Sequence, residues 1–156
     1  MVELGYNDRQ TVQAGGSAIL QNIRPCQMCP KRVLHDDMTS NFILRGIPCR
    51  PCCGYSEYDI HYSANIAVSE GGTAGEIQLA FSVNGETDQL SIAAATPAAA
   101  EQFWHVSGDR TILVPAGMGF SVAVRNASVS ADPGTTPAPA IDIRNLNVTI
   151  TQAKGE

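Results

Sequence analysis

An all-β antiparallel sandwich in a single domain is what the sequence predicts, and three observations carry that prediction. Apolar and polar residues alternate with a period of two in run after run, while a sustained helical period is almost absent. Turn-forming residues are plentiful, with 14 Gly and 9 Pro among 156 residues, and they fall between those runs. Hydrophobic residues make up 44% and charged residues only 16%, against about a quarter charged in an average globular chain. A chain of this length buries a real core as one domain.

Taken in order, residues 1–16 read as a polar N-terminal arm with little core to offer, ahead of a sandwich domain over 17–156. Ser17 to Ile23 reads as a first strand. Arg32–Asp36 and Asn41–Arg45 read as the arms of a hairpin around Asp37-Met38-Thr39-Ser40. Tyr58 to Val68 is the clearest strand: Tyr58, Ile60, Tyr62, Ala64, Ile66 and Val68 face a core, and Asp59, His61, Ser63 and Asn65 face water. The segment 69–75 breaks the chain. Ile77, Leu79, Phe81 and Val83 then mark the inward side of a strand ending in Asn84-Gly85, a strong two-residue turn signal.

The Ala-rich stretch from Ile92 to Ala100 is interrupted by Pro97, so it reads as a strand or irregular segment. Phe103–Val106 and Thr111–Val114 read as two short strands, and Pro115 to Gly119 as a turn. Phe120, Val122 and Val124 alternate in the next strand. Residues 128–140 form a Pro/Thr/Ala loop too long for a simple hairpin. The last strand, Ile141 to Thr151, shifts its inward set from Ile141 and Ile143 to Leu146, Val148 and Ile150. A bulge near Asn145 is therefore expected. Eight or more short strands imply a sandwich or jelly roll, with neither internal repeat nor linker.

These landmarks resemble the TNF/C1q-like jelly roll. The tract from Gly54 to Asn65 resembles a core strand of that fold, Asn84-Gly85 its central turn, and Ile112 to Gly117 the approach to its penultimate strands. Within the fold, the tracts Phe42–Ile47, Ala64–Gly72 and Thr96–Ala100 are most similar to small virion-associated proteins of phages and prophages of Gram-positive bacteria. The resemblance covers roughly residues 17 to 152 and implies an antiparallel jelly-roll homotrimer displayed on a particle. A structural virion protein is then expected: a trimer that decorates or stabilises the capsid of a tailed bacteriophage through the major capsid protein or another virion protein. The alternative is a receptor- or glycan-binding fibre or spike head, with the 69–75 and 128–140 loops as contact surfaces. A spore-coat or other bacterial surface protein is a third possibility.

Five cysteines stand out. Cys26, Cys29, Cys49 and Cys52 form a C-x2-C-x19-C-x2-C pattern within zinc-ribbon spacing. If the two hairpin arms pair, both Cys pairs flank the same open end. Four thiolates at about 2.3 Å from one Zn²⁺ would make a closed, structural site, with Arg24, Lys31, Arg32 and Arg50 nearby to offset charge. The same pairs could instead form disulfides after release from the cell, or stay as free thiols; Cys53 is left over. Met1 to Asp8 lack the basic start and apolar run of a signal peptide. Synthesis in a reducing host cytoplasm is therefore expected, with the virion as destination, and that favours metal over disulfide.

Other functions find less material. Ten Lys and Arg against 15 Asp and Glu give a net charge of -5; nucleic acid is not an expected partner. No apolar run approaches the roughly 20 residues of a membrane helix, so no membrane partner is expected either. There is no G-x-S-x-G, P-loop, G-x-G-x-x-G or H-E-x-x-H motif. His35, His61 and His105 lie far apart in sequence, and Asp36-Asp37 and Asp132 read as solvated loop acids. The chain is expected not to be an enzyme. Phe103 and Trp104 are candidates for either a subunit interface or the core.

Overall fold

The structure, a computed structural model, describes residues 1–24, 32–48 and 54–154. In chain order the strands are β1 (Val2–Tyr6), β2 (Gln10–Val12), β3 (Gln21–Arg24), β4 (Val33–His35), β5 (Asn41–Arg45) and β6 (Tyr55–Val68). They continue with β7 (Ile77–Val83), β8 (Glu86–Thr87), β9 (Ala93–Ala95), β10 (Trp104–Pro115), β11 (Gly119–Asn126) and β12 (Ile141–Lys154). A 3₁₀ turn, Gln89–Ser91, is started by Asp88, whose side chain accepts from the Leu90 N–H. Two sheets result. The first runs β10-β6-β12-β1-β3, with β2 also on β12; the second runs β4-β5-β11-β7-β8, with β9 also on β7. The long strands β6, β10 and β12 lie in the first sheet and β5, β7 and β11 in the second, so the chain passes repeatedly from one sheet to the other. That is the antiparallel jelly-roll sandwich expected.

The core lies where alternation placed it. Tyr58, Ile60, Tyr62, Ala64, Ile66 and Val68 of β6 are buried, as are Ile77, Leu79 and Phe81 of β7 and Val122 and Val124 of β11. Burying each Val, Leu, Ile or Phe is worth about 1.5–3 kcal/mol. Tyr62 reaches across the sandwich, its ring edge-on to Phe81 at 4.9 Å. Its hydroxyl lies 2.7 Å from the carbonyls of both Leu79 and Ser91. Burial pushes the Tyr62 phenol well above the usual tyrosine range, a trend only partly opposed by a backbone hydrogen bond.

The expected kink in the last strand is present. The β12–β6 register shifts between Arg144 and Asn147, and Asn145 takes φ of 51° there. One residue out of step turns Leu146, Val148 and Ile150 inward after Ile141 and Ile143, and all five are buried. The Asn84-Gly85 turn is also as read: φ of 51° and 85° joins Val83 to Glu86 in a tight hairpin.

Four expectations need correction. Residues 1–16 are not an arm outside the core. β1 pairs with β12 and β3, β2 pairs with β12, and Val2, Leu4 and Val12 are buried. Val2 and Leu4 alone are too short an apolar pattern to mark a strand, because the β12 residues that pair with them lie at the other end of the chain. The strand expected over Ser17–Ile23 is regular only at Gln21–Arg24, with single bridges from Ser17 to Arg125 and Leu20 to Thr39. The strands expected at 103–106 and 111–114 are one continuous strand, because Gly108, Asp109 and Arg110 keep pairing with Tyr62, His61 and Ile60. Val83 is only partly buried, since it sits beside the turn.

Gly46 ties the ends of the two sheets together. Its N–H donates to Met118 O at 2.9 Å and its carbonyl accepts from Gly117 N at 2.8 Å. A Cβ at Gly46 would lie 1.9 Å from the Pro115 carbonyl oxygen, so only glycine allows this approach.

Candidate functional site

The predicted metal ligands Cys26, Cys29, Cys49 and Cys52, together with Cys53, lie outside the described residues. The frame beside them is described. β4 and β5 pair as expected, Val33 opposite Leu44 and His35 opposite Phe42. Arg45 N donates to Arg32 O at 2.9 Å. The Tyr58 hydroxyl donates to Arg45 O at 2.5 Å and lies 3.3 Å from Arg32 O. Residues 32 and 45 therefore sit at one end of the hairpin, clasped by a tyrosine from the opposite sheet.

The three histidines occupy three separate places. His35 Nδ1 lies 2.8 Å from Asn22 Oδ1 and its Nε2 3.1 Å from Thr39 O, joining the hairpin to β3 and to its own turn. His61, in β6, sits opposite Asp109 of β10 and Thr149 of β12. His105 faces Asn65, 3.3 Å away. Among the described residues, no group of three or more His, Cys, Asp and Glu side chains is arranged to hold a metal. Of the loop acids, Asp37 accepts from Asn22 N and so ties the hairpin turn to β3, while Asp132 accepts from Thr135 Oγ1 and orders its own turn.

One cluster carries no sequence signal. Asp142, in β12, is almost fully buried at 1% exposure. It accepts from Thr11 Oγ1 at 2.6 Å, from Ser69 Oγ at 3.0 Å and from Arg9, which also pairs with Glu101 at 2.9 Å. Burial drives the carboxyl upward, but hydrogen bonds from Thr11, Arg9 and Ser69, with the charge of Arg9, outweigh it and hold Asp142 below the usual aspartate range. The guanidiniums of Arg9 and Arg144 lie 5.9 and 4.5 Å from the Phe103 ring centre. Phe103 is thus engaged within its own chain. Trp104, opposite Ile66 in the ladder, is 49% exposed.

Two surfaces stand out for contact with other molecules. Strand β10 is the edge of the first sheet, pairing along its 12 residues with β6 alone among the described strands. It exposes Trp104 near one end and Leu113, 52% exposed, near the other. At the end of the sandwich where Trp104 pairs with Ile66, the 69–75 and 128–140 loops come together and line a groove of about 400 Å³ that includes Thr73, Glu76, Val129, Thr136 and Pro137.

No protein-family model matches the chain, and no curated protein matches it. Among solved structures it is similar to Eiger TNF from S. frugiperda, with a TM-score of 0.61 and 11% identity over 100% of this chain and 94% of that one. Two others overlap only loosely. The EclA C-terminal domain, a sugar-binding protein, gives a TM-score of 0.32 at 13% identity over 82% of this chain and 90% of that one. CBM35 from Cellvibrio japonicus Abf62 gives 0.34 at 11% over 96% and 100%. At such identity the first likeness speaks to fold alone: this chain has a TNF-like jelly-roll fold.

Proposed function

We propose that this chain is a non-catalytic assembly protein, a homotrimer that decorates and stabilises a phage capsid by docking on the major capsid protein or another virion protein. The observation that carries the reading is the edge strand β10. Twelve residues of strand have ladder partners on one side only; Asp88 and Ser91 lie against its middle at Arg110 and Gly108, and the uncovered ends of such an edge associate unless something covers them. Trp104 and Leu113 add apolar area to that edge. A closed ring of identical head-to-tail contacts covers every such edge, and the TNF-like fold supports a ring of three. Native mass spectrometry tests the first step: a trimer is expected, and Leu113→Asp should yield monomers with an unchanged circular dichroism spectrum. A monomeric parent protein at micromolar concentration would sink the reading. Sedimentation of the trimer with capsids tests the second, and recovery of the chain in the free fraction alone would count against a virion role.

A second reading, a receptor- or glycan-binding head, is favoured by the groove between the 69–75 and 128–140 loops. Saturable binding to host cells or a glycan array, lost when residues 129–138 are replaced by a short Gly-Ser linker, would support it. A pure decoration protein would bind neither.

A further inference from the structure

Arg125 of β11 lies on the outward face of the second sheet, between inward-facing Val124 and buried Asn126. One of its terminal nitrogens donates to Gly85 O at 2.9 Å and reaches Thr87 Oγ1 at 3.4 Å. Its Nε is buried and meets no acceptor among the described residues. Nor does any described carboxylate pair with it; the ion pairs there involve only Arg9 and Arg110. A half-buried guanidinium without a counter-charge is a site that favours an anion.

What lies beside it narrows the anion. The register sets Asn41 of β5 opposite Ala123 of β11, and Ala123 opposite Ser82 of β7. Short side chains therefore cross three strands in a row, and the face is recessed into a groove of about 580 Å³. Its lining includes Ser17, Ser40, Asn41, Ser82 and Ser121 alongside Arg125, and no Asp or Glu. The four serine hydroxyls make no hydrogen bond within the described residues. A bare anion would satisfy the arginine and leave these hydroxyls to water. A polyhydroxylated ligand bearing one carboxylate matches both halves.

We propose that this groove binds a carboxylated saccharide, its carboxylate pairing with Arg125 and its ring hydroxyls with the serines and Asn41. The site is independent of the assembly reading, since it opens on the second sheet while β10 edges the first. It is also separate from the groove between the two loops.

Isothermal titration of the full chain with trigalacturonate and sialyllactose, against maltotriose and inorganic phosphate, tests the proposal. At least one acidic saccharide should bind saturably, more weakly as salt is raised, and neither maltotriose nor phosphate should match it. Arg125→Met should weaken binding at least tenfold. Because Arg125 also holds the Gly85 turn, Ser121→Glu serves as the second variant. Its new carboxylate at a partly exposed rim should abolish binding with the thermal midpoint unchanged. No saturable binding of either acidic saccharide would overturn the site. Equal binding of maltotriose, phosphate bound as tightly as the saccharide, or full affinity in Ser121→Glu would overturn it too.

Discussion

At the scale of single residues, Asp142 does the most with the least advertisement. In the sequence it is one polar position in an alternating strand, indistinguishable from a solvated neighbour. Its partners Arg9, Thr11 and Ser69 come from two distant segments, which no local pattern could link to it. Folding nonetheless brings all three onto one carboxylate and fastens β2 and the start of the 69–75 loop to β12. Asp142→Asn should therefore cost about 1–3 kcal/mol at neutral pH, the range for removing one partner from a buried polar cluster. The pH dependence has a definite sign. A carboxyl held below its ordinary value contributes stability above the unfolded value of about 3.9, and that contribution is lost as pH falls through the lowered folded value. Urea unfolding at a series of pH values should show the parent protein converging on Asp142→Asn in acid. A gap constant from neutral to strongly acidic pH would mean that the ionised carboxylate contributes nothing to the clasp.

Among the elements, legibility followed how local the cause was. β6 and β7 were readable because a two-residue period records burial directly, and the β12 bulge because the buried parity of Ile143 and Leu146 cannot both hold in a regular strand. The continuity of β10 was not readable, since Gly108 mimics a turn until Tyr62 of β6 is known to lie opposite. β1 was missed for a related reason. Its inward set is only Val2 and Leu4, and its partner residues Leu146 to Ile150 stand at the other end of the chain. This changes what truncation should do. Removing residues 1–12 strips three buried side chains, each worth about 1.5–3 kcal/mol, and leaves one side of β12 unpaired. Against a typical total of about 5–15 kcal/mol, the truncated chain should be largely unfolded or aggregated, as read by thermal melting and circular dichroism. A truncated chain that melts cooperatively near the parent midpoint would mean that β1 and β2 add little to the sandwich. Leu4→Ala is the milder version, with an expected cost of about 2–5 kcal/mol.

For the whole molecule, the β4–β5 hairpin is flanked in sequence by Cys26 and Cys29 on one side and by Cys49 and Cys52 on the other. We propose one structural Zn²⁺ on these four thiolates. The support is the geometry next to them: Arg32 and Arg45 share a hydrogen bond and the Tyr58 hydroxyl, so the chain segments carrying the two Cys pairs depart from one place. Because a metal bound only by the folded chain stabilises it by mass action, a strong chelator should lower the thermal midpoint. The loss should also be uneven. β4 and β5 would lose amide-exchange protection first, while β6 and β12, buried in the centre of the first sheet, would keep theirs. Metal analysis should find about one zinc per chain, the stoichiometry of a closed four-thiolate site. Well under one zinc, with no response to chelator, would rule the zinc site out. A midpoint that falls with a reducing agent and ignores the chelator would assign the same cysteines to disulfides.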